Sequence, residues 1–553
     1  MIDSRVKYFA NKVSFSAVFA LLVVLFVVTP LLLILFNSGQ LSAAKWTNLW
    51  TSKAPELLWR TIKLATLVAL LTTVLGVSTA WLLTRYRFFA SKVLVWSLVL
   101  PLAIPTYVYA DIYTRLFSDR GWFSWLAQYW QRHVIESSLL QGLQSLWTRL
   151  TGDDTTLSEF SDLLSVSLVL ALASFPYVFL LVRAALNKST KSLEEAARLQ
   201  GADARSVFWR VNVPLLRPAI AAGLAIVVLH TISDFGAVSI LQYHTFTSAI
   251  YLQYMRDSFD LALPAALSLI LVVMALSFLV IERFFRSRQR YFVSDRALEP
   301  EQIKRLRGYP LFFAWCWIGL IALFAVIAPV ALILVESFQA WYHGDVGLIF
   351  WRYVFNSFFI AVIVATVALI AAFPVAYYHT RRNSLYSAAL MHMSNVGFIL
   401  PGPVVAIGVS LLALLVFPQF SPMVFLLTWI VAVAVRYLPL ASQAQESALQ
   451  QVTPSMECAG RMLGATAWQN MRRVILPVIR PGLVSAWVLV FIDALKELPA
   501  ALLLKPQGFE TLPVIIWQQA SEEMMEAAAP AALMLILATF PALWLMMKGH
   551  KSR

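Results

Sequence analysis

Long apolar runs, separated by shorter polar stretches that carry Arg and Lys, fill the chain from end to end. A bilayer-crossing helix needs about 20 mostly apolar residues, because each residue rises about 1.5 Å and the hydrocarbon layer is about 30 Å thick. That test predicts twelve spanning helices. Six lie over 13–37, 58–83, 91–114, 163–187, 215–242 and 262–282. The other six lie over 309–336, 354–379, 386–416, 422–448, 481–504 and 527–547. The first run exceeds the 7–15 apolar residues of a signal-peptide core and has no small-residue cleavage site, so it reads as a membrane helix.

Composition agrees. Of 553 residues, 60% are hydrophobic and 13% charged, and the mean hydropathy is +0.74. Soluble domains carry about 25% charged residues, so an all-α integral membrane protein is expected. The net charge of +14 raises the question of nucleic acid. In so apolar a chain, however, positive charge marks loops retained on the cytoplasmic side, and no nucleic-acid partner is expected. With the N-terminus inside and topology alternating, 30 of the 43 Lys and Arg fall in cytoplasmic segments, which places both termini in the cytoplasm. The longest outer loop, 115–162, is rich in Trp, Gln and Ser; another, 505–526, carries Glu510, Glu522, Glu523 and Glu526. Cys316 and Cys458 sit in unlike surroundings, and no Cys/His cluster suggests zinc or an iron–sulfur centre.

Six helices per half allow a parallel repeat, and the polar loops reveal one. Residues 193–220 and 456–483 align at a constant offset of 263 with eleven identities. These include Glu194/Glu457, Arg198/Arg461, Gly201/Gly464, Arg210/Arg473, Pro214/Pro477 and two Arg-Pro pairs. At the same offset, Asp234-Phe-Gly-Ala faces Glu497-Leu-Pro-Ala. Upstream the offset grows to about 300, pairing Leu100-Pro101 with Leu400-Pro401. The repeat sets the domains: 1–284, a linker over 285–308, and 309–553. In each repeated loop a glycine permits a turn and a proline is expected at the first turn of the next membrane helix. The result would be two short helices at an angle on the cytoplasmic surface, able to act as a rigid lever.

The sequence Glu195-Ala196-Ala197, then Gly201 and Pro214, resembles the EAA loop of permeases in binding-protein-dependent ABC importers. The second copy matches through Ala459, Gly464 and Pro477, with Cys458 at the glutamate position, Gly460 at the second alanine and Glu457 one residue earlier. The resemblance covers nearly the whole chain. It implies two fused units of the type I importer fold, with coupling loops over about 188–217 and 451–480 that dock two ATPase subunits. It also implies a periplasmic binding protein as partner and residence in the bacterial inner membrane among its lipids. The chain has no Gly-rich phosphate loop ending in Lys-Ser/Thr, so it is not expected to be an enzyme or to bind a cofactor. ATP and magnesium would belong to the partner ATPase. An ion-coupled secondary transporter also fits twelve spans in parallel halves; the repeated polar loop favours the importer.

Ionisable residues inside spans are costly and mark transport pathways or buried ion pairs. Asp493, Lys496 and Glu497 fall on one face of the eleventh span by their spacing. His230 and Asp234 occupy the matching positions of the fifth, and Arg436 in the tenth is a partner for one of the acids. A pathway role and a structural ion pair stand as equal readings. The segments from Ser233 to Tyr251 and from Lys496 to Leu512 are similar to those of ferric iron permeases. Carboxylates suit a hard cation such as Fe(III). Related fused permeases carry thiamine, 2-aminoethylphosphonate and other small solutes, so the substrate stays open, as does any metal site.

Overall fold

A computed structural model describes residues 2–87, 90–117, 157–188, 199–256, 260–287 and 304–549 apart from isolated positions, with a few more between 118 and 198. The outer loop 115–162 and the linker 285–308 therefore fall largely outside the described residues. Among those described, nine helices are long and apolar enough to cross a membrane. They are Ser16–Gly39, Ala43–Arg85, Ser161–Asn187, Phe208–Ser233, Ala262–Glu282, Tyr309–His343, Leu348–Arg381, Pro422–Leu449 and Ala467–Leu495. The twelfth predicted span is the helix Met525–Gly549, whose apolar part is the shorter stretch Ala527–Pro541. Among the described residues, strand pairing is confined to Tyr86–Arg87 against Lys304–Arg305.

The third and ninth spans are not straight, as the hydropathy pattern had implied. Val93–Ala103 and Thr106–Phe117 meet at 102°, and Leu385–Gly397 and Gly402–Val416 meet at 106°. Proline explains the first break. Pro105 forces the residue before it out of the helical region, and Ile104 is accordingly extended at φ −95°, ψ 120°. At the second break Pro401 is itself extended, at ψ 146°, immediately before the helix Gly402–Val416. Both breaks are pulled into the middle of the bundle, where protein rather than lipid surrounds the freed backbone groups.

The leading helix of each half leans on the other half. Ala20 and Val24 of the first span pack with Val375 and Tyr378 of the eighth and Leu390 and Met391 of the ninth. Farther along, Pro30 crosses so close to Gly408 that a Cβ there would collide with it. In the seventh span a π turn over Leu323–Ile327 loosens the regular ladder. Tyr109 and Tyr113, from the third span, donate to the carbonyls of Ala325 (2.5 Å) and Phe324 (2.7 Å). Trp317 donates to Ser78 Oγ of the second span at 2.9 Å. Arg115 joins Asp111 at 2.5 Å on its own helix and Glu336 of the seventh span, all three buried. The sequence reading singled out none of these three charges.

Candidate functional site

The fifth and eleventh spans both stop short at an acid. Helix Val213–Ser233 ends before Asp234, and helix Leu476–Leu495 ends before Lys496 and Glu497. The expectation that Asp493, Lys496 and Glu497 share a helix face is thus corrected: Asp493 is on the helix, and the other two lie in the break. Each acid then caps the short helix that follows. Asp234 Oδ1 accepts from the N–H groups of Ala237 (3.0 Å) and Val238 (3.3 Å). Glu497 Oε1 accepts from Ala500 N–H at 3.3 Å. Orphan N–H groups and the positive end of a helix suit a carboxylate at both places. The repeat offset of 263 relates the two caps.

Around these breaks lies a cavity of about 190 Å³, enclosed by the bent third span and the fourth, fifth, tenth and eleventh. His230, Asp234, Arg436, Asp493, Lys496 and Glu497 all line it. Their surroundings divide them. Glu497 is 5% exposed. Arg436 Nη1 donates to its two oxygens at 2.7 and 2.8 Å, and the Tyr437 hydroxyl donates at 2.6 Å. That is a fully engaged internal ion pair. Lys496 Nζ crosses between halves to the carbonyl of Leu102 at 2.8 Å, at the break of the third span. Asp234 Oδ2 takes a hydrogen bond from Thr106 at 2.5 Å.

Asp493 and His230 are different. These repeat-equivalent residues face the cavity, His230 exposed and Asp493 half-buried. His230 stacks on Tyr177 with centroids 5.1 Å apart and bonds Ile226 O at 3.0 Å through Nδ1. Asp493 makes no hydrogen bond or ion pair among the described residues, and its oxygens remain available to a solute. The Tyr107 hydroxyl also borders the cavity, 3% exposed and without a hydrogen-bond partner among the described residues. A buried unpaired hydroxyl costs free energy, so its position needs a reason beyond packing. Sequence reasoning missed Tyr107 and Thr106; the Pro101 and Pro105 signals of a broken helix were the available pointer. Among the described residues, no cluster of three or more His, Cys, Asp or Glu side chains could hold a metal ion.

The repeated loops lie at the other end of the same two helices. In the second copy, helix Pro454–Met462 ends in a left-handed Gly464 at φ +83°. Ala465 N–H reaches Gly460 O at 3.1 Å and Gly464 N–H reaches Arg461 O at 3.0 Å, a Schellman closure. The first copy repeats it: Gly201 has φ +86°, and Ala202 N–H reaches Ala197 O at 3.0 Å. Glu194, Glu195 and Ala196 lie outside the described residues.

Pro214 and Pro477 correct a further expectation. They do not start new helices. Ala204–Val207 runs through a π turn, Phe208–Asn212, into Val213–Ser233, and Ala467–Asn470 runs through Met471–Ile475 into Leu476–Leu495. The wider turn gives each proline ring room that an α turn denies it. One continuous helix of about 45 Å, at 1.5 Å per residue, therefore joins each loop to the cavity. Cys458 and Ala459 are exposed, whereas Glu457 turns inward at 7% exposure. Leu199 and Met462, again repeat equivalents, stand 90% and 89% exposed beside the turn. This apolar pair was not singled out from sequence.

Comparison with known proteins places this geometry. Residues 72–291 and 365–547 each match the family described as binding-protein-dependent transport system inner membrane component. The chain is 28% identical over 513 residues to the Fe(3+)-transport system permease protein FbpB 2 of Haemophilus influenzae, covering 92% of this chain and 93% of that one. It is 27% identical over 267 residues to the sulfate transport system permease protein CysT of Escherichia coli, covering 47% and 86%. CysT of Salmonella typhimurium matches at 28% over the same shares. A duplicated membrane unit, two matching loops and a cavity between the halves thus have a common source, and the chain belongs to the binding-protein-dependent transport system inner membrane component family, as the inner-membrane permease of an ABC importer.

Proposed function

We propose that this permease moves ferric iron from a periplasmic binding protein into the cytoplasm by alternating access. The observation that carries the substrate is the similarity to an iron permease, 28% identical over 92% of this chain and 93% of that relative. Cavity chemistry supports the same choice. Arg436, the strongest anion-binding group there, is consumed by Glu497, while Asp493 and the Tyr107 hydroxyl offer oxygen atoms that suit a hard cation. With no cluster of three ligands in the described bundle, the ion would pass without a tight resting site, and selectivity would reside in the binding protein.

In this reading the chain supplies both permease units, 1–284 and 309–553, and two ATPase subunits dock on the loops around Gly201 and Gly464. Those subunits hold ATP and magnesium and carry out the hydrolysis. Both termini face the cytoplasm, and the cavity lies on the substrate path. Closure of the ATPase dimer moves the loops, and the continuous helices carry that movement to His230, Asp234, Asp493 and Glu497. The test is reconstitution with the ATPase and candidate binding proteins. Ferric-loaded binding protein is expected to stimulate ATP hydrolysis; stimulation by a sulfate-loaded one instead would overturn the substrate.

A further inference from the structure

Between the second loop and the membrane lies a contact that neither the repeat nor the cavity requires. Arg381, the last residue of the eighth span, reaches Glu457 on the helix Pro454–Met462 at 2.6 Å. Its side chain also donates to the carbonyl of Val452 at 3.2 Å and lies 5.7 Å over the Tyr377 ring. Arg461 adds a longer contact to the same acid at 3.8 Å. On the far side, Asn470 Nδ2 donates to the Glu457 carbonyl at 3.2 Å. A Cβ at Gly460 would collide with the Asn470 side chain, so the two short helices are pressed together. Beneath the ion pair, Ala376, Leu449, Val452, Ile475 and Ile479 form one buried apolar cluster. Three spans, the eighth, tenth and eleventh, thus converge at Val452, just before that short helix.

We propose that Arg381 is the positioning residue that makes the loop helix Pro454–Met462 move as one body with the eighth span. The claim rests on the reading of this loop as the ATPase dock. The eleventh span alone would transmit force along its own axis, through a π turn at Met471–Ile475 that gives the helix a place to flex. With side chains only 16% and 9% exposed, the pair is less screened than a solvated one and resists separation more. With Arg381 in place, displacement of the loop carries the end of the eighth span with it. The first half repeats the arrangement in outline: Arg85 ends the second span and lies 5.3 Å over Trp81, as Arg381 lies over Tyr377.

The test measures substrate taken up per ATP hydrolysed, in proteoliposomes containing this chain, its ATPase and its loaded binding protein. Arg381→Gln is expected to co-purify with the ATPase at the parental ratio and to lower uptake per ATP by about tenfold, within the range of about 5–150-fold typical of site-to-site coupling. The exchange Arg381→Glu with Glu457→Arg is expected to recover much of that ratio. An unchanged ratio in Arg381→Gln overturns the proposal, as does loss of the ATPase from the purified complex, which would make the contact one of assembly. An exchange variant that assembles yet stays uncoupled also overturns the pairing. Failure of the unmodified chain to bind an ATPase or to show ATP-dependent uptake would instead strike the underlying reading of the loop.

Discussion

Two acids four residues apart in the eleventh span should respond to neutralisation in opposite ways. Glu497 accepts two hydrogen bonds from Arg436, one from Tyr437 and one from the Ala500 N–H. Glu497→Ala leaves the guanidinium buried without a counter-charge, which costs about 3–5 kcal/mol, and strips Tyr437 of its acceptor, worth about 1–3 kcal/mol. Because both losses fall in one network they do not add, and a destabilisation of about 4 kcal/mol is expected. Arg436→Met combined with Glu497→Leu should recover most of it, since an apolar pair of similar volume can replace a buried ion pair at little cost. Asp493→Asn removes no hydrogen bond or ion pair within the described protein, so it should destabilise clearly less than Glu497→Ala while uptake falls. Equilibrium unfolding in mixed micelles reads the stabilities, and radiolabelled substrate uptake in cells reads the function. The division of roles fails if Glu497→Ala is as stable as the parent, or if Asp493→Asn unfolds as readily as Glu497→Ala.

Other substitutions probe the remaining geometry. At Gly201 and Gly464 nothing lies within 4 Å of an added Cβ, so Gly→Ala should cost only the left-handed backbone strain, about 1–2 kcal/mol, and Gly→Asn less; Gly464→Pro cannot adopt φ +83° and should abolish uptake, which normal transport by that variant would contradict. Tyr107→Phe removes an unpaired buried hydroxyl, so stability should hold or rise while uptake falls; parental uptake would show that the hydroxyl meets no solute. A Cβ at Gly402 would strike the Arg436 guanidinium, so Gly402→Ala should destabilise the purified protein through the same ion pair, and a smaller effect in the Arg436→Met background would confirm the route.

The apolar runs made the helices legible, because burial in lipid leaves little freedom of composition. Glycine at the two loop turns was legible for a local reason: only a residue without Cβ enters φ near +85° cheaply, and the structure has φ +86° and +83° there. What hydropathy could not reveal is how an apolar run is interrupted. Leu100 to Thr106 scores as membrane helix although Pro105 breaks it, since the scale weighs transfer and ignores backbone geometry. Partners distant in sequence were equally hidden. Arg115 and Glu336 lie 221 residues apart, and nothing local in either segment points to the other. The same holds within the cavity. Six ionisable residues could be named as a group, but which acid is engaged and which stands open depended on Arg436 arriving from a different span.

The exchanged leading helices carry a consequence for how such a chain can arise and be taken apart. Because the first span seats on the eighth and ninth and the seventh is stitched to the second and third, the halves are interlocked. The connection through residues 288–303 is then a convenience of synthesis, securing equal numbers of both halves. A cut there should leave two fragments that travel together through detergent purification. Either fragment made alone would expose the apolar seats its missing partner covers, and would be a substrate for quality-control proteolysis. An ancestor encoding a single half would already have needed its twin.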